Sequence, residues 1–233
     1  MMHPHQRLVI TIDGAAGTGK TSVARELARR LGTDCLDTGA MYRAVAVIAV
    51  DQSVDPSDGE TLARLVTEQG IRFDWAQSPP PILLDGKDIS VRIRDLDVSA
   101  VVSIVAEQSE IRRVLVEQQR QISQDHPTLV TEGRDQGSVV FPEAAAQFYL
   151  EADISERTKR RLLQLQESGT DTDAVTVARD ISSRDQIDSS RDDSPLTCPS
   201  DAMMIDTSNR TMLEVVDIME QVVRDHLSAL DDA

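Results

Sequence analysis

Leu8-Val-Ile-Thr-Ile-Asp-Gly14 runs directly into Ala15-Ala-Gly-Thr-Gly-Lys-Thr21, and this stretch decides the fold. Residues 8–12 form an apolar, β-branched run of strand type. Gly14 to Thr21 fits the pattern G-x-x-x-x-G-K-[ST]. Residues 20–31 then place Val23, Ala24, Leu27, Ala28 and Leu31 on one helical face. Strand, glycine-rich loop and helix in that order are the setting in which the pattern binds a polyphosphate. Glycines let the backbone turn its N–H groups inward, and the helix start adds a partial positive charge. Gly14, Ala15, Ala16, Gly17, Thr18, Gly19, Lys20, Thr21 and Ser22 are therefore candidate NTP-binding residues. Lys20 can reach the β- and γ-phosphates, and the Thr21 hydroxyl can hold Mg²⁺.

Composition narrows what surrounds this loop. The 233 residues suffice for one sizeable α/β domain with a small insert. With 40% hydrophobic but only 3% aromatic residues, the core must be aliphatic. A net charge of −16 argues against a nucleic-acid or anionic-membrane surface. No stretch has the length of a membrane-spanning helix. Residues 1–7 lack the apolar core of a secretion signal, and His3 and His5 are too few for a metal site. Cys35 and Cys198 read as free thiols of a cytoplasmic protein, Cys35 as an inert buried strand residue.

Apolar strands alternate with helices, which implies a mostly parallel sheet covered on both faces. Strands are expected at 8–13, 34–37, 128–132, 147–152 and 202–206. A last helix is expected over 211–228 with Met212, Val215, Val216, Met219, Val222 and Val223 inward. His126-Pro127 should stop a long helix. The alternation breaks at 70–94. There Ile71–Trp75, Ile82-Leu-Leu84 and Ile89–Ile93 flank Asp85-Gly86, a strong hairpin signal. Phe73 and Trp75 read as an apolar seam of this small antiparallel insert, and Asp51–Glu60 as a loop leading to it. Met41 and Tyr42 read as packing residues beside Val45 and Ile48.

Arginines stand out in this acidic chain. Arg43, Arg112, Arg134, Arg157, Arg160, Arg161, Arg184 and Arg191 fall near expected strand ends or helix ends. Phosphoryl transfer needs fixed cations around the transferring group, and arginine grips phosphate bidentately.

Asp37-Thr-Gly-Ala-Met-Tyr-Arg43, Glu132-Gly-Arg-Asp-Gln-Gly137 and Arg184-Asp-Gln-Ile-Asp-Ser-Ser-Arg191 together resemble bacterial cytidylate kinases. Ser103-Ile-Val-Ala106, Ile111-Arg112 and Ser194-Pro-Leu196 extend the resemblance across the whole chain, insert included. It implies a P-loop nucleoside monophosphate kinase fold: a five-stranded, mostly parallel sheet flanked by helices, a small antiparallel β insert and a helical lid. One domain over 1–233 would hold a core at about 7–60 and 126–233. A monophosphate-binding region with the insert would cover about 61–125, and a lid about 155–170.

The resemblance further implies transfer of the ATP γ-phosphoryl group to CMP and dCMP, with Mg²⁺; a cytoplasmic setting is expected, and no feature of the sequence calls for more than a monomer. Lys20, Arg134, Arg157, Arg161 and Arg191 would be catalytic. Thr38, Arg43, Ser103, Arg112, Arg134, Asp135, Arg184 and Asp188 would bind CMP, with Asp188 the natural partner of Arg184. Three departures stand out. Thr38 replaces a usual Ser, Gln136 a usually apolar residue, and Glu132 a usual Asp able to hold Mg²⁺ through water. A related kinase acting on UMP, AMP or shikimate is the alternative, although the insert argues against it. A GTP-dependent switch would carry N-K-x-D, whereas the single asparagine, Asn209, precedes Arg210.

Overall fold

The computed structural model describes residues 8–167, 169–191 and 193–231, without the side chains of 230 and 231. Expectations for His3, His5 and the leading segment, and the part of the lid at Ser168, lie outside the described residues. In chain order the elements are β1 (Leu8–Gly14), α1 (Lys20–Leu31), β2 (Asp34–Asp37), α2 (Thr38–Asp51), α3 (Gly59–Gln69), β3 (Ile71–Phe73), β4 (Ile82–Leu84) and β5 (Lys87–Asp88). Then follow α4 (Leu96–Glu107), α5 (Ser109–Asp125), β6 (Thr128–Gly133), β7 (Ala146–Glu151), α6 (Ile154–Glu167), α7 (Ala174–Ser190), β8 (Met203–Asp206) and α8 (Met212–Asp231). The larger sheet has five strands in the order β2-β6-β1-β7-β8, and β3-β4-β5 form a second sheet. The expected α/β class and antiparallel insert are both present.

The chain divides into two compact units, one running to Thr33 and resuming at Thr128, the other Asp34–Pro127. The region expected from about residue 61 is thus part of a unit that begins at Asp34.

In the first unit β1 lies between β6 and β7, parallel to both. A strand covered on both faces can be apolar throughout. Ile10 and Ile12 accordingly have no exposed surface, each burial contributing roughly 1.5–3 kcal/mol. Val23, Ala24, Leu27 and Ala28 are the buried face of α1. The helix stops at Gly32, which adopts the left-handed conformation (φ 65°) and donates to the Ala28 and Arg29 carbonyls. Arg30 bridges to Asp217 (2.5 Å) and Glu220 (3.0 Å) of α8. Such surface pairs contribute little, so the apolar faces carry this packing.

Val215, Val216, Met219 and Val223 of α8 are buried as expected, but Met212 is 41% exposed and Val222 only half-buried. Met212 opens the first turn of α8 and borders a cavity instead of the core.

In the second unit α2 is apolar nearly all round, with Ala44 to Ala49 continuously buried. Such a helix belongs at the centre of its unit. The Asp37 side chain caps it, accepting from the Ala40 N–H at 3.0 Å. Only residues 52–58 of the expected Asp51–Glu60 loop are free of helix. The Asp58 carboxylate accepts from Thr61 N and starts α3 at Gly59. Asp85 (φ 49°) and Gly86 (φ 73°) both lie in the left-handed region between β4 and β5, as a two-residue hairpin turn requires. The Phe73 and Trp75 ring centroids are 5.4 Å apart. Trp75 also lies 4.2 Å from the His126 ring, whose Nδ1 is 2.7 Å from Asp34 Oδ2. The α5 helix ends at Asp125, before His126-Pro127. Cys35 and Cys198 are free. Cys35 is half-buried rather than buried, because alternation along β2 turns Leu36 to the core instead.

Candidate active site

Ligands of open parallel sheets bind beyond the carboxyl ends of the strands, and there the first unit gathers its unusual residues. Gly14 ends β1 with φ 147°, and a Cβ on it would lie 2.2 Å from the Leu150 carbonyl oxygen. Only glycine fits there. Gly17 and Gly19 also have positive φ (81° and 95°). At Gly17 a Cβ would meet the Cβ of Arg157 at 3.1 Å, so the loop backbone and the first turn of α6 touch.

Lys20 is 5% exposed. Its Nζ donates to Ala15 O at 2.6 Å and to Thr18 Oγ1 at 3.4 Å. Burial, followed by the nearby Arg134 cation, lowers its pKa to about 7, against the pull of Glu132, Asp13 and Asp188. The Thr21 hydroxyl donates to Glu132 Oε1 at 2.6 Å. The two residues expected at a metal therefore meet directly, and the longer glutamate reaches the hydroxyl. No group of three or more His, Cys, Asp or Glu side chains suited to a metal occurs among the described residues. A cation here would rely on these two oxygens plus water and phosphate, which suits Mg²⁺.

At the end of β6, Arg134 Nε donates to Asp188 Oδ2 at 2.8 Å, and Arg191 lies 3.9 Å from Asp188 Oδ1. The expectation paired Asp188 with Arg184. The carboxylate instead holds Arg134 at 2.8 Å, and its pull on Arg184 is coulombic. Burial and Arg134 push the Arg184 pKa down. Asp135 is 3% exposed. Arg157 donates to the Ala152 and Ala16 carbonyls and pairs with Asp185. Arg160 donates to Thr207 O at 2.5 Å and Thr207 Oγ1 at 3.0 Å, fastening α6 to the segment after β8. Arg161 points along its own helix to Gln164 at 3.4 Å.

A cavity of about 370 Å³ opens beside the loop, between Gly17–Gly19, Arg160 and Arg161 of α6, and Thr207, Arg210 and Met212. Sequence reasoning missed Thr207 and Arg210, and the signal was their place just past the carboxyl end of the last strand. It also missed Asp13, which is buried at the end of β1 and accepts from Gln136 N and Gly137 N.

The second unit holds the other expected residues. Thr38 is buried at the start of α2. One turn on, Arg43 donates to Ser99 Oγ at 2.9 Å and Ile93 O at 3.2 Å. Arg112 of α5 is 3% exposed and donates to Tyr42 Oη at 3.3 Å. Its guanidinium carbon lies 5.9 Å from the Tyr42 ring centre. Met41 packs as expected with no exposed surface, but Tyr42 does more than pack, because its hydroxyl and ring both meet Arg112. Ser103 is one helical turn beyond Ser99 on α4, hence on the same face. Arg43 and Ser99 thus meet within this unit, as do Arg112 and Tyr42.

The pattern that describes cytidylate kinases matches residues 10–225. The cytidylate kinase of Nocardia farcinica is 42% identical over 221 residues, 95% of this chain and 95% of that protein. That of Caldanaerobacter subterraneus subsp. tengcongensis is 39% identical over 215 residues, covering 92% and 94%. Among solved structures, an uncharacterised protein from Eubacterium ventriosum aligns with a TM-score of 0.51 over 94% of this chain and 99% of its own. At 13% identity that likeness is one of fold alone. This chain belongs to the cytidylate kinase family.

Proposed function

We propose that this protein transfers the γ-phosphoryl group of ATP to CMP, and also to dCMP, yielding CDP or dCDP and ADP. The observation that carries the reading is the family match over nearly the whole chain. The Lys20–Thr21–Glu132 group at the strand ends, with Lys20 and Glu132 buried, is compatible with it. Residues 14–22 hold the ATP phosphates on backbone N–H groups, and Lys20 reaches the β- and γ-oxygens. Thr21, and Glu132 through water, would hold Mg²⁺, which would supply charge neutralisation for the phosphates. Arg134, Arg157, Arg161 and Arg191 stabilise charge that spreads over the transferring group.

On the acceptor side, Thr38 and Arg43 contact CMP, Ser103 and Arg112 read the cytosine edge, and Arg134 and Arg184 grip the acceptor phosphate. Asp135 and Asp188 accept from the ribose hydroxyls. No covalent intermediate is needed, and catalysis is positioning plus electrostatics. Closure of the α6 lid keeps water from taking the phosphoryl group. We place the activity in the cytoplasm, in a monomer that binds neither nucleic acid nor membranes. No helix among the described residues is long and apolar enough to cross a bilayer.

A steady-state assay of ADP release with CMP, dCMP, UMP and AMP tests the reading. CMP and dCMP should be the fastest acceptors. Turnover of AMP as fast as CMP would move the protein to the alternative, a related kinase with a different acceptor.

A further inference from the structure

Asp13 occupies the last position of β1 before Gly14, with no exposed surface. Register places it opposite Gly133 at the end of β6. Just past Gly133 the chain carries Arg134 and Asp135, then winds into a wide helical turn at Gln136–Val140. The first N–H groups of any helical turn lack partners within it. Here the Asp13 carboxylate takes two of them, Oδ1 accepting from Gln136 N at 2.8 Å and Oδ2 from Gly137 N at 2.7 Å. Both contacts are buried. Gly137 is closely packed. A Cβ on it would meet Gln147 Oε1 at 2.7 Å and Thr11 Oγ1 at 3.0 Å.

We propose that Asp13 is a positioning residue of the transfer reaction, tying the Arg134–Asp135 segment to the phosphate loop through the Gln136 and Gly137 amides. The proposal rests on the kinase reading above, which gives Arg134 and Asp135 their substrate. A buried carboxylate pays more desolvation than an amide or hydroxyl would. That cost is visible, because burial is the largest influence on Asp13 and raises its pKa. What the charge supplies is two strong, short acceptors on one rigid stem, on the residue directly before Gly14. Arg134 leaves the clamped segment to meet Asp188 at 2.8 Å, so the clamp sets where that pair stands. An acceptor site displaced by a fraction of an ångström loses much of its rate.

Asp13→Asn is the test, because it preserves volume but turns one acceptor into a donor facing an N–H. The expected result is a folded protein whose KM for CMP rises on the order of tenfold, while KM for ATP changes less than about twofold. Amide hydrogen exchange should accelerate at residues 134–137 and stay unchanged in α1 and α8. Asp13→Ser, which keeps a single short acceptor, should give the same CMP-selective defect. Unchanged CMP kinetics with wild-type exchange at 134–137 would overturn the proposal, as would Gln136 and Gly137 amides that exchange freely in the wild-type protein. If wild-type protein fails to phosphorylate CMP, the functional reading falls. The exchange measurement then still decides whether Asp13 is the clamp.

Discussion

Asp13 also gives the protein a stability signature that can be worked out in advance. Burial, with Asp135 nearby, raises its pKa from 3.8 to about 6 in spite of the two amide hydrogen bonds. Between those values the unfolded chain carries an ionised Asp13 and the folded protein a protonated one. The folded state then binds more protons, so stability falls as pH rises. The contribution is complete below about pH 4 and lost as pH passes through 6. A shift of roughly two units corresponds to about 3 kcal/mol. Asp13→Asn lacks the titration, and any fixed effect of its amide cancels in the pH dependence of the difference. The stability of Asp13→Asn minus that of wild type should be flat below pH 4. It should rise by about 1.4 kcal/mol per pH unit between 4 and 6, then level off about 3 kcal/mol higher. Urea unfolding followed by far-UV circular dichroism from about pH 3 to 8 reads this directly. Curves that stay parallel across the range, or a difference that falls with pH, would refute the reasoning.

The phosphate loop offers a contrast between two glycines. Gly14→Ala would set a Cβ 2.2 Å from the Leu150 carbonyl at φ 147°, and should cost more than about 3 kcal/mol and abolish ATP binding by calorimetry. At Gly19 nothing lies within 4 Å of a Cβ and only φ 95° opposes it, so alanine should cost about 1–2 kcal/mol. Asp188→Ala removes the partner of Arg134 and should raise KM for CMP far more than KM for ATP; equal effects would make Asp188 structural. Lys20→Ala should lower kcat by about 10² or more with an unchanged circular dichroism spectrum. Near-normal turnover would discredit the phosphate-loop assignment.

The elements that sequence located best are those whose causes are local. Residues 20–31 read as a helix and form α1, 34–37 read as a strand and form β2, and Asp85-Gly86 takes the left-handed pair its composition demands. Glycine conformation, helix period and β-branching act over a few residues, so they are written in the chain. Met212 failed because helical periodicity names a face but not where the neighbouring sheet ends. It lies on the right stripe, one turn too early to be covered.

The site divides the same way. Lys20 and Thr21 belong to a contiguous motif, whereas Asp13, Thr207 and Arg210 join the site only through strand order. Five strands whose carboxyl ends converge make a functional position of any residue just beyond them. A single sequence does not state which strands are neighbours. Tyr42 shows the limit from the other side. Its place on an apolar helix gave it to the core, while its hydroxyl met an arginine seventy residues away. Buried arginines such as Arg112 need acceptors, and tyrosine on a nearby helix is among the few apolar-faced residues that can supply one. Pairing each buried cation with the hydroxyls and carboxylates on facing elements would therefore recover much of what motif reading leaves out.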